Sequence, residues 1–219
     1  MKKILTLLCA VMLLGACTKN EIIDNPIIID TDFLIGTWIY DTEENTPMPT
    51  SKYEIEIFKA NGNYTYCYPD EGKWNVEDYK YTINDNIITF SDGSKYKILY
   101  LSNTSLTIES LDSGGKWTAR KATTDISKKL IGKWSVTEGY PAKFIEYNED
   151  GTHTTDIGNG KWFCYGDFHV LESSNGNVFG ANVSLDWDNN LQRLVMNATV
   201  VKTDMSKNTI KAIKEAAPL

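Results

Sequence analysis

The chain has few of the residues that build metal and redox centres. Of its 219 residues only two are histidine, His153 and His169, and four are cysteine. No Cys-x-x-Cys pair and no paired-histidine zinc spacing occurs, which argues against the common zinc frameworks. Asp186-Trp187-Asp188-Asn189-Asn190 opens like a calcium loop. Its sixth place is Leu191 where the tight turn needs glycine, and its twelfth is Asn197 rather than a bidentate glutamate. It reads as a polar hairpin tip. There is no Gly-x-Ser-x-Gly elbow and no phosphate-binding glycine loop. Asp70 and Glu71 are adjacent, and on a strand adjacent side chains point to opposite faces, so they do not converge on one bond. The strand-borne carboxylates are therefore read as a solvated outer face, and no catalytic residue, metal or cofactor is assigned. Arginine is limited to Arg120 and Arg193. The net charge of −7 repels phosphate backbones and anionic bilayers, which disfavours nucleic acid as a partner.

Long apolar runs are also scarce. The one present, Ile4 to Ala16, follows Lys2 and Lys3 and is thirteen residues long, short of the ~20 that a spanning helix needs. A basic start, an apolar core and small residues at its end form a secretory signal. Its close, Leu14-Gly15-Ala16-Cys17, resembles the lipobox of bacterial lipoproteins. That resemblance implies a signal peptide over 1–16, cleavage before Cys17, and acyl chains on Cys17 as the membrane attachment. Two or more chains anchor a protein firmly. The alternative is an ordinary signal peptide with a chance cysteine. Residues 17–32 then form a lipidated tether, with Ile27-Ile28-Ile29 either part of it or an addition to a sheet edge. Thr18 stands where the resembled lipoproteins carry an aspartate for inner-membrane retention, which points to the outer membrane. Lys19-Asn20-Glu21 faintly resembles the surface-export signal of Bacteroidetes lipoproteins, and the choice between periplasmic and surface side stays open. Cys9 leaves with the signal. Cys67 and Cys164 remain, and they read as buried free thiols, although an oxidising compartment permits a bond.

Aromatic residues, by contrast, are plentiful: 12 Tyr, 6 Trp and 7 Phe. The chain also repeats itself. Leu34-Ile35-Gly36-Thr37-Trp38 returns as Leu130-Ile131-Gly132-Lys133-Trp134, Asn61-Gly62 as Asp150-Gly151, and Gly72-Lys73-Trp74 as Gly160-Lys161-Trp162. Three markers kept in order indicate two copies of one unit. Each copy reads as short strands. Tyr53, Ile55 and Ile57 alternate with Lys52, Glu54 and Glu56, a period of two. Tyr64, Tyr66 and Tyr68 follow a hairpin-forming Asn-Gly. Among the further strands expected are Lys73–Glu77 and Tyr79–Ile83, for about nine in copy one and seven in copy two. Evenly spaced antiparallel strands hide their edges by closing into barrels. The predicted fold is all-β, with small antiparallel barrels in tandem over 33–121 and 130–203. Residues 122–130 are an exposed linker between separately folding halves. Asp204 is a helix cap, and Met205, Ile210, Ile213 and Ala217 fall near one face, so 204–219 is expected to be a short C-terminal helix.

Leu-x-Gly-x-Trp, a hairpin with Asn-Gly or Asp-Gly, then Gly-x-Trp and a strand pair resembles the lipocalin-like domains of Bacteroidetes lipoproteins. The resemblance covers 34–121 well and 130–201 less well. It implies that Trp38 and Trp134 plug one end of each barrel. It also implies that Arg120, on the last strand of copy one, stacks on Trp38, with Arg193 in a roughly similar place in copy two. Ile55, Tyr66, Trp74, Tyr81 and Phe90 are the candidate cavity-lining residues, although eight-stranded barrels are often filled by their own side chains, and that reading of the aromatic rows is the simpler one. The function implied is non-enzymatic binding of a small apolar molecule or glycan fragment. The alternative is a structural or accessory subunit that meets another envelope protein through its β surface.

Overall fold

A computed structural model describes residues 30–216. The signal segment, Cys17 and the tether as far as residue 29 lie outside the described residues, as do 217–219. Barrel one begins with β1 (Gly36–Glu43) and a two-residue spur, β2 (Thr46–Pro47). It continues through β3 (Glu54–Phe58), β4 (Asn63–Asp70), β5 (Lys73–Asn84), β6 (Ile87–Phe90), β7 (Lys95–Leu101), β8 (Ser105–Ser110) and β9 (Lys116–Lys121). Each main strand pairs with the next, and β9 returns to β1 to close eight strands. The two strands expected over 73–83 are one. Asp78 does not break β5, because its carboxylate accepts the Thr65 hydroxyl at 2.6 Å on the neighbouring strand.

Barrel two follows a single helical turn, α1 (Ser127–Leu130). It runs through β10 (Gly132–Glu138), β11 (Phe144–Tyr147), β12 (Thr152–Thr155), β13 (Gly158–Tyr165), β14 (Phe168–Ser173), β15 (Val178–Asp188), β16 (Arg193–Val201) and β17 (Lys207–Lys214), and it is closed. The expected C-terminal helix is not formed among the described residues: β17 takes up eight residues in the middle of that segment. Asp204 does accept backbone and hydroxyl hydrogen bonds, both from Ser206, but they shape a turn rather than a helix start. Met205 at φ 64 leaves the right-handed region. After it Ile210 and Ala212 are buried two apart, the period of a strand. Without this strand β10 and β16 would each keep an open edge.

One end of each barrel is plugged in the same way. The Trp38 indole donates to the Leu34 carbonyl at 2.7 Å, and the Trp134 indole to the Leu130 carbonyl at 2.6 Å. Both tryptophans are fully buried. The cation on each ring is a lysine. Lys121 Nζ lies 5.1 Å from the Trp38 ring centroid and Lys214 Nζ 5.4 Å from that of Trp134. Each ammonium donates to the short helical turn before its barrel, Lys121 to Phe33 O at 2.8 Å and Lys214 to Lys129 O at 2.7 Å. The Arg120–Trp38 pairing is thereby corrected. Trp38 pairs across β9 with Lys121, and Arg120 pairs with Ile39, so Arg120 points out of the barrel. A shift of one residue changes the face of the sheet. Arg193 likewise reaches the Lys214 carbonyl rather than Trp134.

The outward face of barrel one is not solvated where it meets barrel two. Arg120 makes two 2.9 Å hydrogen bonds to Asp167 and one of 2.6 Å to Asn182. Tyr53 stacks on Phe168 with centroids 5.3 Å apart. Trp74 donates through its indole to the Tyr165 hydroxyl and through its backbone to Glu172, both at 2.8 Å. The tight Glu71-Gly72 turn, with both residues at positive φ, sits so close to Gly176 that a Cβ on Gly72 would meet a carbonyl oxygen at 1.9 Å. The 122–130 segment is tied down: Thr123 donates to Asp167, Ile126 to the Gly166 carbonyl, and Ile126 and Leu130 are buried. The expected linker is thus exposed at Thr123, Thr124, Asp125, Lys128 and Lys129, but it is anchored by these contacts rather than free.

Candidate functional site

The end of barrel one opposite the Trp38 plug holds a cavity of about 330 Å³. Strand parity decides what lines it. Trp38 pairs with Glu56, and Glu56 with Tyr66, so these three share the interior face. Glu54 follows by the same alternation. The β3 glutamates, read from sequence as outward, are thus turned into the barrel, and Ile55 is turned out of it. Tyr40, Tyr64, Tyr96 and Trp117 complete the walls, with Glu43 and Asp92 at the rim. Tyr64 packs on Phe90 at 4.4 Å between centroids, Phe90 meets Tyr96 edge-on at 5.7 Å, and Tyr96 meets Trp117 at 6.2 Å.

Of the five candidate lining residues, Tyr66 and Phe90 line the cavity. Ile55 is fully buried, but in the cluster that also holds Cys67, Phe168 and Val170, at the junction of the barrels. Trp74 belongs to that junction as well. Tyr81 is inside the barrel below the cavity, where it meets Phe58 edge-on and donates to the Lys59 carbonyl at 3.0 Å. The residues missed, chiefly Tyr40, Glu54, Glu56 and Trp117, have a signal in hindsight. Once β3 pairs with β4 at Ile55–Cys67, every second residue of β3 must share a face with Tyr64 and Tyr66.

The electrostatics of the site are set by carboxylates among phenols. Glu56 is 8% exposed and accepts the Tyr40 hydroxyl at 2.9 Å. Burial pushes its carboxyl up to about 7, against the pull of the Tyr40 and Tyr64 hydroxyls and helped by the charge of Glu54. Burial also raises Glu54, opposed by a hydrogen bond from Tyr66. The same burial, reinforced by Glu56, keeps the Tyr40 phenol protonated. Outside the cavity, at the solvent-facing part of the β4–β5 wall, Glu77 accepts the Tyr79 hydroxyl and that of Tyr68, the latter at 2.9 Å, and these hold it below the usual carboxylate range. No lysine or arginine lines the cavity.

Barrel two is filled. Its interior space is about 10 Å³, bounded by groups such as Tyr147, His169, Phe179 and Met196, room for one water at most. Burial, with the nearby His153, pushes the His169 imidazole down to about 3, so it is neutral, and its Nε2 has no partner. Cys67 and Cys164 are free thiols, pushed up by burial to about 11 and about 12, hence poorly nucleophilic. Among the described residues no group of three or more His, Cys, Asp or Glu is placed to hold a metal ion.

Comparison with known proteins bears on barrel one. The lipocalin-like domain family matches residues 34–108, from the plug to β8. No curated protein matches the chain. Among solved structures, the crystal structure of the family 43 glycoside hydrolase YxiA from Bacillus licheniformis is similar at 10% identity and a TM-score of 0.32. That likeness covers 80% of this chain and 60% of the hydrolase, and carries no inference about chemistry. The first closed barrel therefore resembles a lipocalin-like domain over residues 34–108, and a second closed barrel that the family does not match follows it.

Proposed function

We propose that the protein is a non-enzymatic small-molecule-binding module, held at the outer membrane by lipid on Cys17, with the open end of barrel one as its site. The observation that carries this reading is the contrast between the two barrel interiors: about 330 Å³ of space inside the first and about 10 Å³ inside the second. Binding sites for small molecules begin at roughly 300 Å³ and are walled mainly by apolar and aromatic groups. Tyrosine, phenylalanine and tryptophan faces suit a flat apolar body or a sugar ring. The lipobox resemblance supports the anchor. The described chain enters at the plugged end of barrel one, beside Phe33 and Leu34. An upstream anchor therefore attaches at the end away from the cavity.

The test is native mass spectrometry of the protein purified from its membrane fraction. A co-purified small molecule should be present in the wild type and absent from Ser94→Trp, which fills the rim. A protein that carries nothing and takes up nothing from a small-molecule library would overturn the reading. The accessory-subunit alternative draws on a different feature, the β15–β16 tip, where Trp187 is 56% and Leu191 48% exposed. It expects an envelope protein to crosslink at that tip and to be lost with Trp187→Ser.

A further inference from the structure

We propose that the cavity of barrel one takes an organic cation, a primary or quaternary amine on a small apolar body. This rests on the reading of the cavity as a binding site and names its ligand class. Four carboxylates face the space, Glu43, Glu54, Glu56 and Asp92, and no lysine or arginine does. None of the four takes part in an ion pair among the described residues. Glu56 is the decisive one. It is more than nine-tenths buried, aims into the cavity, and has phenols as its partners instead of a cation. A buried carboxylate without a countercharge is disfavoured by desolvation, and an arriving ammonium relieves that. The remaining walls supply the second half of a cation site. Tyrosine and tryptophan faces attract a positive charge through their ring quadrupoles, most strongly when water is excluded. An anionic ligand such as a fatty acid would meet only repulsion. A bare metal ion is poorly served, since no three carboxylates converge on one point.

Binding should depend on pH. The titratable groups facing Glu56 are Tyr40 and Glu43 from β1, Glu54 from β3, Tyr64 and Tyr66 from β4, Tyr79 from β5, Tyr96 from β7 and Asp92 beyond β6. Lys121 lies on the same interior face at the plug, where its ammonium is committed to Phe33 O. The phenols stay protonated. Ionisation of Glu56 therefore completes the negative charge of the cavity, and cation affinity should rise as pH increases through about 7.

The probes are choline and 3,3-dimethylbutan-1-ol, which has the same shape without the charge, titrated calorimetrically into the full chain. A third, 1-aminoanthracene, is uncharged at neutral pH and reports on any apolar occupant. Choline should bind at least about tenfold more tightly than its neutral isostere and should displace 1-aminoanthracene. Glu56→Gln should lose at least about tenfold in choline affinity at about pH 8, with its fold checked by near-ultraviolet circular dichroism. If that variant does not fold, the comparison of the two isosteres on the wild type still decides. Equal affinity for both, or 1-aminoanthracene bound and not displaced by choline, overturns the cation assignment and leaves the binding site standing. Failure of all three probes to bind overturns the site as well.

Discussion

Glu56 shows how a single buried carboxyl couples stability to pH. Its folded-state value of about 7 stands above the ordinary 4.5, so folding favours the protonated form. The stability this confers is whole below about pH 4.5 and is lost as pH rises through 7, to the extent of about 3 kcal/mol. Glutamine is neutral throughout. Glu56→Gln should therefore gain on the wild type as pH rises from about 5 to about 8, in denaturant midpoints measured at both. A constant difference would mean that the carboxyl is not desolvated. Lys121 offers a second test at this scale. Its stem packs against Gly36, with Cε 2.6 Å from the site of an added Cβ, and its ammonium covers Trp38. Lys121→Ala should cost about 1–2 kcal/mol through lost packing and lost cation–π contact.

Among the elements, what the sequence made legible was whatever a local pattern determines. The repeat markers placed both plugs, Trp38 and Trp134, and the Asn-Gly and Asp-Gly turns placed hairpins. Face assignment was not local. The apolar residues of β3 read as its inner face, because one-sided burial is the usual cause of alternation. Here both faces of β3 are covered, the inner by the cavity and the outer by barrel two. The carboxylates could then turn inward, and no pattern within β3 distinguishes the two arrangements. The same limit hid the lysine plug, since only the β1–β9 register selects Lys121 over Arg120. In β17 the residues satisfy a helical period and a strand period at once, and the demand for closure decides. Ile210→Pro should therefore remove a ladder hydrogen bond from β17 and leave a covered strand without a donor. The expected result is loss of barrel two's protected amides in hydrogen exchange, whereas a helical tail would leave them intact.

At the scale of the whole molecule, the two barrels should behave as one body, because their contact is more than a touching of surfaces. The aromatic cluster of barrel one includes Phe168 and Val170 of barrel two, both fully buried. Arg120 joins them through one terminal nitrogen that donates to both oxygens of Asp167, in a pair about three-quarters buried. Splitting the barrels would expose Ile39, Ile55 and Cys67, none of which is accessible in the intact chain, and would take the Arg120 guanidinium away from Asp167 and Asn182. Wild-type protein should thus unfold in one cooperative transition, and cleavage within 122–130 should not release two stable halves. Arg120→Ala should cost about 2–3 kcal/mol, mostly through the largely buried acceptors left behind. Its signature should be a split transition, in which barrel one and barrel two melt at separate denaturant concentrations. A Lys at the same place restores charge but not the planar fork that serves Asp167 and Asn182 together, so Arg120→Lys should recover only part of the coupling. Two independent transitions in the wild type, or an Arg120→Ala protein that still melts as a single unit at an unchanged midpoint, would show that the barrels are merely adjacent.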